Sequence, residues 1–143
     1  MKYIIVDAIK KECRIKEHEE FHDAVRAAGL DPSATDHGQF ARGIAYVVYE
    51  YGHFVPKETQ NYCRVGNTLV SGSLVVYAYN EMGDTIAITD ELFKSFIPNV
   101  AFFKDHHEVE TAIKRGIVRR PQMTSGDEVL WKWPESAPEG SMR

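Results

Sequence analysis

The residues best suited to metal chemistry are His18-Glu19-Glu20-Phe21-His22, which fit the pattern HExxH. On a helix this spacing sets two imidazoles on one face, where they hold zinc while the first glutamate acts as a base. Lys16, Glu17, Glu20 and Asp23 crowd the segment with charge, whereas a zinc-protease helix surrounds its ligands with uncharged residues. No third ligand can be named, so the plain reading is a pair of solvated histidines with no metal. His106-His107 lie beside Asp105 and Glu108, but adjacent helical residues point to different sides and do not share an ion. A polar helix start accounts for them. No nucleophile elbow, phosphate-binding loop, dinucleotide fingerprint or Cys–His signature occurs in the sequence, so no catalytic residue and no cofactor is assigned.

A second constellation is aromatic and basic. Tyr46, Tyr49, Tyr51, Tyr62, Tyr77 and Tyr79 fall in β-like stretches, and Arg26, Arg42, Arg64, Arg115, Arg119 and Arg120 are spread along the chain. Alternation at period two separates Tyr49 and Tyr51 from Tyr46, and puts Tyr77 and Tyr79 on one face of their strand. Flat rings on a sheet can stack a base, and arginines beside them supply bidentate contacts to phosphate. This is the residue mixture of a site for a small anionic or nucleotide-like ligand. The plainer alternative is that tyrosines line half-covered sheets and arginines keep surfaces soluble.

The elements that would position these groups follow from pattern. Lys2 to Asp7 reads as a strand, and Cys13 to Lys16 as its hairpin partner. From Glu19 to Ala28, Phe21, Ala24, Val25 and Ala28 recur at helical spacing before Gly29, which predicts a helix lying on the sheet. Asp31 to Gly38 is turn-forming throughout and reads as a surface loop. Gly43 to Tyr51, Tyr62 to Val65 and Gly72 to Tyr79 read as strands, with turns at Gly66-Asn67 and Gly83-Asp84. Thr89 caps a short helix through Phe96, and Asp105 with Glu108 opens another that ends before Gly116. Val129 to Trp133 alternates as a last strand before a Pro- and Gly-containing tail. The expected fold is a single α+β domain over residues 1–134, a mainly antiparallel meander sheet with two main helices packed on it. Residues 135–143 are expected to form a flexible C-terminal tail.

Composition narrows the partners. The chain has 143 residues, 43% of them apolar and 27% charged, which suits one globular core. A net charge of −4 argues against coating duplex nucleic acid, whose affinity comes from clustered Lys and Arg. No apolar run approaches a membrane span, and the N-terminus lacks a secretory pattern, so a cytoplasmic location with no membrane partner is expected. Cys13 and Cys63 have no CxxC or Cys/His neighbourhood and read as buried thiols.

The segments MKYIIVDAIKKE, EEFHDAVRAAGL, AYVVYEYGHFVP and LVSGSLVVYAYNEMGDTIAIT follow one another in an order that resembles small accessory proteins of phages and mobile elements. Their shared layout is an N-terminal hairpin, a sheet-packing helix and a (V/I)xGxxVV…(D/N)xxGD turn, and the resemblance spans roughly residues 1 to 90. More remotely, the architecture is similar to the phage Thoeris anti-defence proteins, sponges that sequester cyclic nucleotide signals. That resemblance implies a homo-oligomer in the host cytoplasm that captures a small anionic ligand without catalysis. It assigns ligand contacts to Arg26, Arg115 and Arg119, with Tyr77, Tyr79 or Asn99 completing the pocket. The alternative it leaves open is an inhibitor or interaction domain that acts on a host or defence protein through an acidic or sheet-edge surface.

Overall fold

The protein is seen here as a computed structural model, which describes residues 1–49 and 61–118. Strand β1 (Lys2–Asp7) and β2 (Glu12–Glu17) form the opening hairpin, paired from Lys2↔Glu17 to Asp7↔Glu12. Its turn is held locally: Asp7 Oδ1 accepts from the amides of Ile9 and Lys10, both at 3.0 Å. Helix α1 (Phe21–Ala27) follows, two residues shorter at its start than the apolar spacing predicts. Glu20 sits extended at the N-cap and makes no side-chain capping bond, so nothing extends the helix back to Glu19.

The next segment corrects the sequence reading. Asp31-Pro32-Ser33 does turn, with Asp31 Oδ1 accepting from Ser33 N and Oγ at 3.0 and 2.8 Å. Thr35–Ala41, however, is strand β3, not loop. It pairs with β4 (Ile44–Tyr49) from Thr35↔Tyr49 to Gln39↔Ala45, with a register shift between Gln39 and Ala41. Its residues have weak strand preference, but pairing and burial of Phe40 override that preference. Gly38 belongs there for a packing reason. The phenol of Tyr46, directly opposite, lies across it, and a Cβ at position 38 would overlap that ring.

Strands β5 (Tyr62–Val65) and β6 (Thr68–Ser71) form a hairpin, and β7 (Leu74–Tyr79) forms another with the short β8 (Thr85–Ile86). Thr89 Oγ1 then caps α2 (Asp90–Phe96) by accepting from Leu92 N at 3.1 Å. A 3-10 turn (Ile97–Asn99) leads into β9 (Val100–Phe102). Asp105 Oδ1 caps α3 (His106–Lys114) through Glu108 N at 2.9 Å, and Gly116, with φ of 70°, leaves it in the left-handed conformation glycine favours.

All these strand pairings are antiparallel, as the turns between them imply, and β1–β2, β3–β4, β5–β6 and β7–β8 join as hairpins while β1–β7, β4–β7 and β5–β9 pair strands distant in sequence. They divide into two sheets. The larger runs β2-β1-β7-β4-β3 with β8 added beside β7, and the smaller runs β6-β5-β9. One face of the larger sheet packs Ile4, Val6, Leu74 and Val76 against Cys63, Val65 and Val70 of the smaller sheet and against Leu92 and Phe96 of α2. Its other face packs Tyr3, Ile5, Val47 and Val75 against Ala24 and Val25 of α1 and against Ala28, which caps it. The smaller sheet's outer face buries Tyr62 and Leu69 under Val109 and Ala112 of α3. The described residues thus form one α+β domain in four layers. No helix among them is long and apolar enough to cross a membrane. The strand expected at Val129 to Trp133 and the tail 135–143 lie outside the described residues.

Candidate functional site

Among the described residues, helix length leaves part of the larger sheet uncovered. Seven helical residues extend about 10 Å, whereas a six-residue strand such as β7 extends about 20 Å. Helix α1 covers the half that carries Val47 and Val75, and Phe21 at its start closes against Tyr3 and Tyr77 with ring centroids at 5.7 and 5.0 Å. Beyond Phe21 the same face continues with Tyr77 and Tyr79 on β7 and His37 and Gln39 on β3. Tyr77 and Tyr79 are half-buried and 6.5 Å apart between centroids; His37 is exposed. His37 Nδ1 lies 3.1 Å from the Tyr77 hydroxyl, and its ring stacks on Phe21 at 6.2 Å. Burial, and secondarily the neighbouring Tyr79, push the Tyr77 hydroxyl above its ordinary pKa, so it keeps its proton at neutral pH.

Tyr77 and Tyr79 make an aromatic floor, with His37 and Gln39 as hydrogen-bonding groups along one side. Where β7 ends, Tyr79 N donates to Gly43 O at 3.0 Å, which brings the β3–β4 turn and its exposed Arg42 to Tyr79's end of the sheet. Glu81 meets Arg42 only at 3.9 Å, and both side chains are largely exposed.

Of the site residues expected from the sequence, the fold brings Tyr77 and Tyr79 together and sets Arg26, Asn99 and Arg115 apart from them within one chain. Arg26 is in the last turn of α1, exposed and paired with Asp23 at 3.6 Å, whereas the tyrosines meet that helix at its start. Asn99 and Arg115 belong to the layers on the opposite side of the sheet. Asn99 donates its side-chain Nδ2 to Ser95 O at 3.1 Å, and its backbone carbonyl accepts from Gly66 N at 2.8 Å; Arg115 ends α3 in solvent. Arg119 lies outside the described residues. Sequence reasoning missed His37 and Gln39 because their segment reads as a turn. The available signal was period-two placement of Thr35, His37 and Gln39 just before a tight turn and a clear strand.

The HExxH pattern does not become a helical pair. His18 and Glu19 precede α1; His18 packs against Tyr3 at 6.5 Å with its Nε2 buried and unpartnered, and His22 Nε2 meets Glu20 at 2.7 Å. His106 reaches Glu110 at 3.5 Å while His107 points to solvent. Among the described residues no group of three or more His, Cys, Asp or Glu is arranged to hold a metal ion. Both cysteines are free.

No protein-family model, no curated protein and no solved structure matches this chain.

Proposed function

We propose that this protein is a binding module that captures a small, flat-ringed anion, such as a nucleotide-derived signal, on the open half of its larger sheet. The observation that carries the reading is the pair Tyr77 and Tyr79, side by side on a sheet face that α1 leaves uncovered. A ring laid on this floor sends its charged portion toward Arg42, whose ion pair is long and solvent-exposed. Sequestration of a defence signal, in the manner of a phage anti-defence protein, is the biological role this chemistry suits. A homo-oligomer would add the exposed Arg26 and Arg115 of a second copy to the ligand's surroundings.

Strand addition by a protein partner fits less well. The edge strand β2 carries Glu12, Arg14, Lys16 and Glu17, and the edge strand β3 is bulged, two features that discourage edge pairing. Titration calorimetry with a panel of mononucleotides and cyclic nucleotides tests the proposal, with chromatography of the recovered ligand to check that it is unchanged. Stacking on aromatic side chains is worth about 1–3 kcal/mol per base, so Tyr79→Ala should weaken binding roughly 5- to 100-fold while the protein stays folded. Undiminished binding by folded Tyr79→Ala would remove the site from the sheet face.

A further inference from the structure

His37 Nδ1 and the Tyr77 hydroxyl lie 3.1 Å apart, in a contact that either group can donate. The number of protons in the pair matters more than their placement. Burial holds the Tyr77 hydroxyl above its ordinary pKa, so near neutrality it keeps its proton. With a neutral imidazole the two groups carry two protons between them, and the contact uses one whichever tautomer is present. A single donor is left for a ligand. With an imidazolium they carry three. Nδ1–H then donates to the phenol oxygen, and Nε2–H and the Tyr77 O–H both remain, together with a positive charge. The contact itself survives the change, because a phenol both donates and accepts.

The surroundings leave that charge to be met from outside the chain. His37 is exposed, and no carboxylate among the described residues pairs with its ring. Its partner on β4 is Val47, and Phe21 of α1 stacks on it at 6.2 Å, so both of these neighbours are uncharged. Tyr79 is the next titratable group along β7. The nearby charged groups have other partners: Asp36 Oδ1 accepts from the His37 amide at 3.0 Å, and beside Phe21 Glu20 meets His22 at 2.7 Å.

We infer that protonated His37 joins Tyr77 in a second anion contact, at the α1 end of the tyrosine floor, so that the ligand is held more tightly as the solution becomes more acidic. This deepening rests on the proposed function. Arg42 sits at the floor's other end and keeps its charge throughout, so it cannot produce that dependence.

Calorimetry on the full chain with cyclic adenosine and cyclic guanosine monophosphate tests the inference. A phosphodiester holds its single negative charge from about pH 6 to about pH 8, the range in which imidazoles take up a proton, so any change in affinity belongs to the protein. A charge-assisted contact at an exposed site should tighten binding about three- to tenfold between the upper and the lower pH. His37→Phe keeps a ring against Phe21 and His37→Gln keeps a polar group there; each should bind equally at both pH values, whereas His22→Gln should retain the dependence. A dependence that survives in both His37 variants, or is lost in His22→Gln, assigns the proton to another group and overturns the inference. Equal affinity of the unaltered chain at both pH values also overturns it, but leaves the tyrosine site standing. Binding of neither nucleotide at either pH sinks the proposed function as well.

Discussion

The two faces of the larger sheet are built from the same five long strands but have different partners. Against the smaller sheet the side chains are aliphatic or aromatic and closed from solvent: Ile4, Val6, Ile44, Leu74 and Val76 are all 1% exposed or less. Even Tyr46 is used there as a packing piece, stacked on Phe40 at 4.3 Å and laid over Gly38. On the other face, among the described residues, packing follows α1, and beyond Phe21 the side chains become Tyr, His and Gln. A closed face tolerates no loss of volume, whereas an open one can exchange water for a ligand. What separates them is the length of one helix, since the strands supply alternate residues to both.

The sharpest way to break the comparison is a substitution that should be costly on one face only. Phe96→Ala removes a fully buried ring from α2 between the sheets, and should cost about 3–5 kcal/mol in urea or guanidinium unfolding. A loss below 1 kcal/mol would mean that the inter-sheet face is not the closed core described here.

Gly38→Ala should cost less, about 1–3 kcal/mol, because the added methyl must displace the Tyr46 phenol. The loss should shrink when Tyr46→Ala is made first, and thermal or chemical melts of the double-mutant cycle measure that coupling. Equal cost in both backgrounds would separate Gly38 from Tyr46.

The smallest effect is absent at neutral pH and appears in base. Cys13 and Cys63 both face the inter-sheet side, and burial pushes the Cys13 thiol from 9.0 up to about 12 and raises Cys63 in the same sense, with Cys13 adding to the latter. Both thiols are thus protonated in the fold where an unfolded chain has begun to lose its protons. Stability from this source is full below about pH 9 and is lost as pH rises through about 12. Cys13→Ser with Cys63→Ala should flatten that alkaline slope, and native protein at pH 8 should alkylate far more slowly than denatured protein. Rapid native alkylation would show that the face admits solvent.

Much of the fold was legible locally. The β1–β2 hairpin, the Thr89 and Asp105 caps, the Gly116 helix end and the shared face of Tyr77 and Tyr79 each depend on residues a few positions apart, and each stands where the pattern put it. Local signals also misled at two places. Turn-forming residues at 31–38 concealed β3, and helical spacing extended α1 back toward a histidine that lies outside it. The candidate site was legible only by half: the tyrosines were expected, but His37 and Gln39 were not, and Arg26, Asn99 and Arg115 sit elsewhere in the chain.

The sequence by itself determined an antiparallel α+β chain, its hairpins, its helix ends and which tyrosines share a face, because capping, turns and alternation act over a few residues. Only the tertiary structure decided that β7 sits between β1 and β4, that Tyr62–Val65 belongs to a second sheet, and that His37 lies 3.1 Å from a tyrosine 40 residues later. Those facts depend on which strand edges meet and in which register. Each choice gains its stability from burying surface that distant segments share, so no window along the chain contains it.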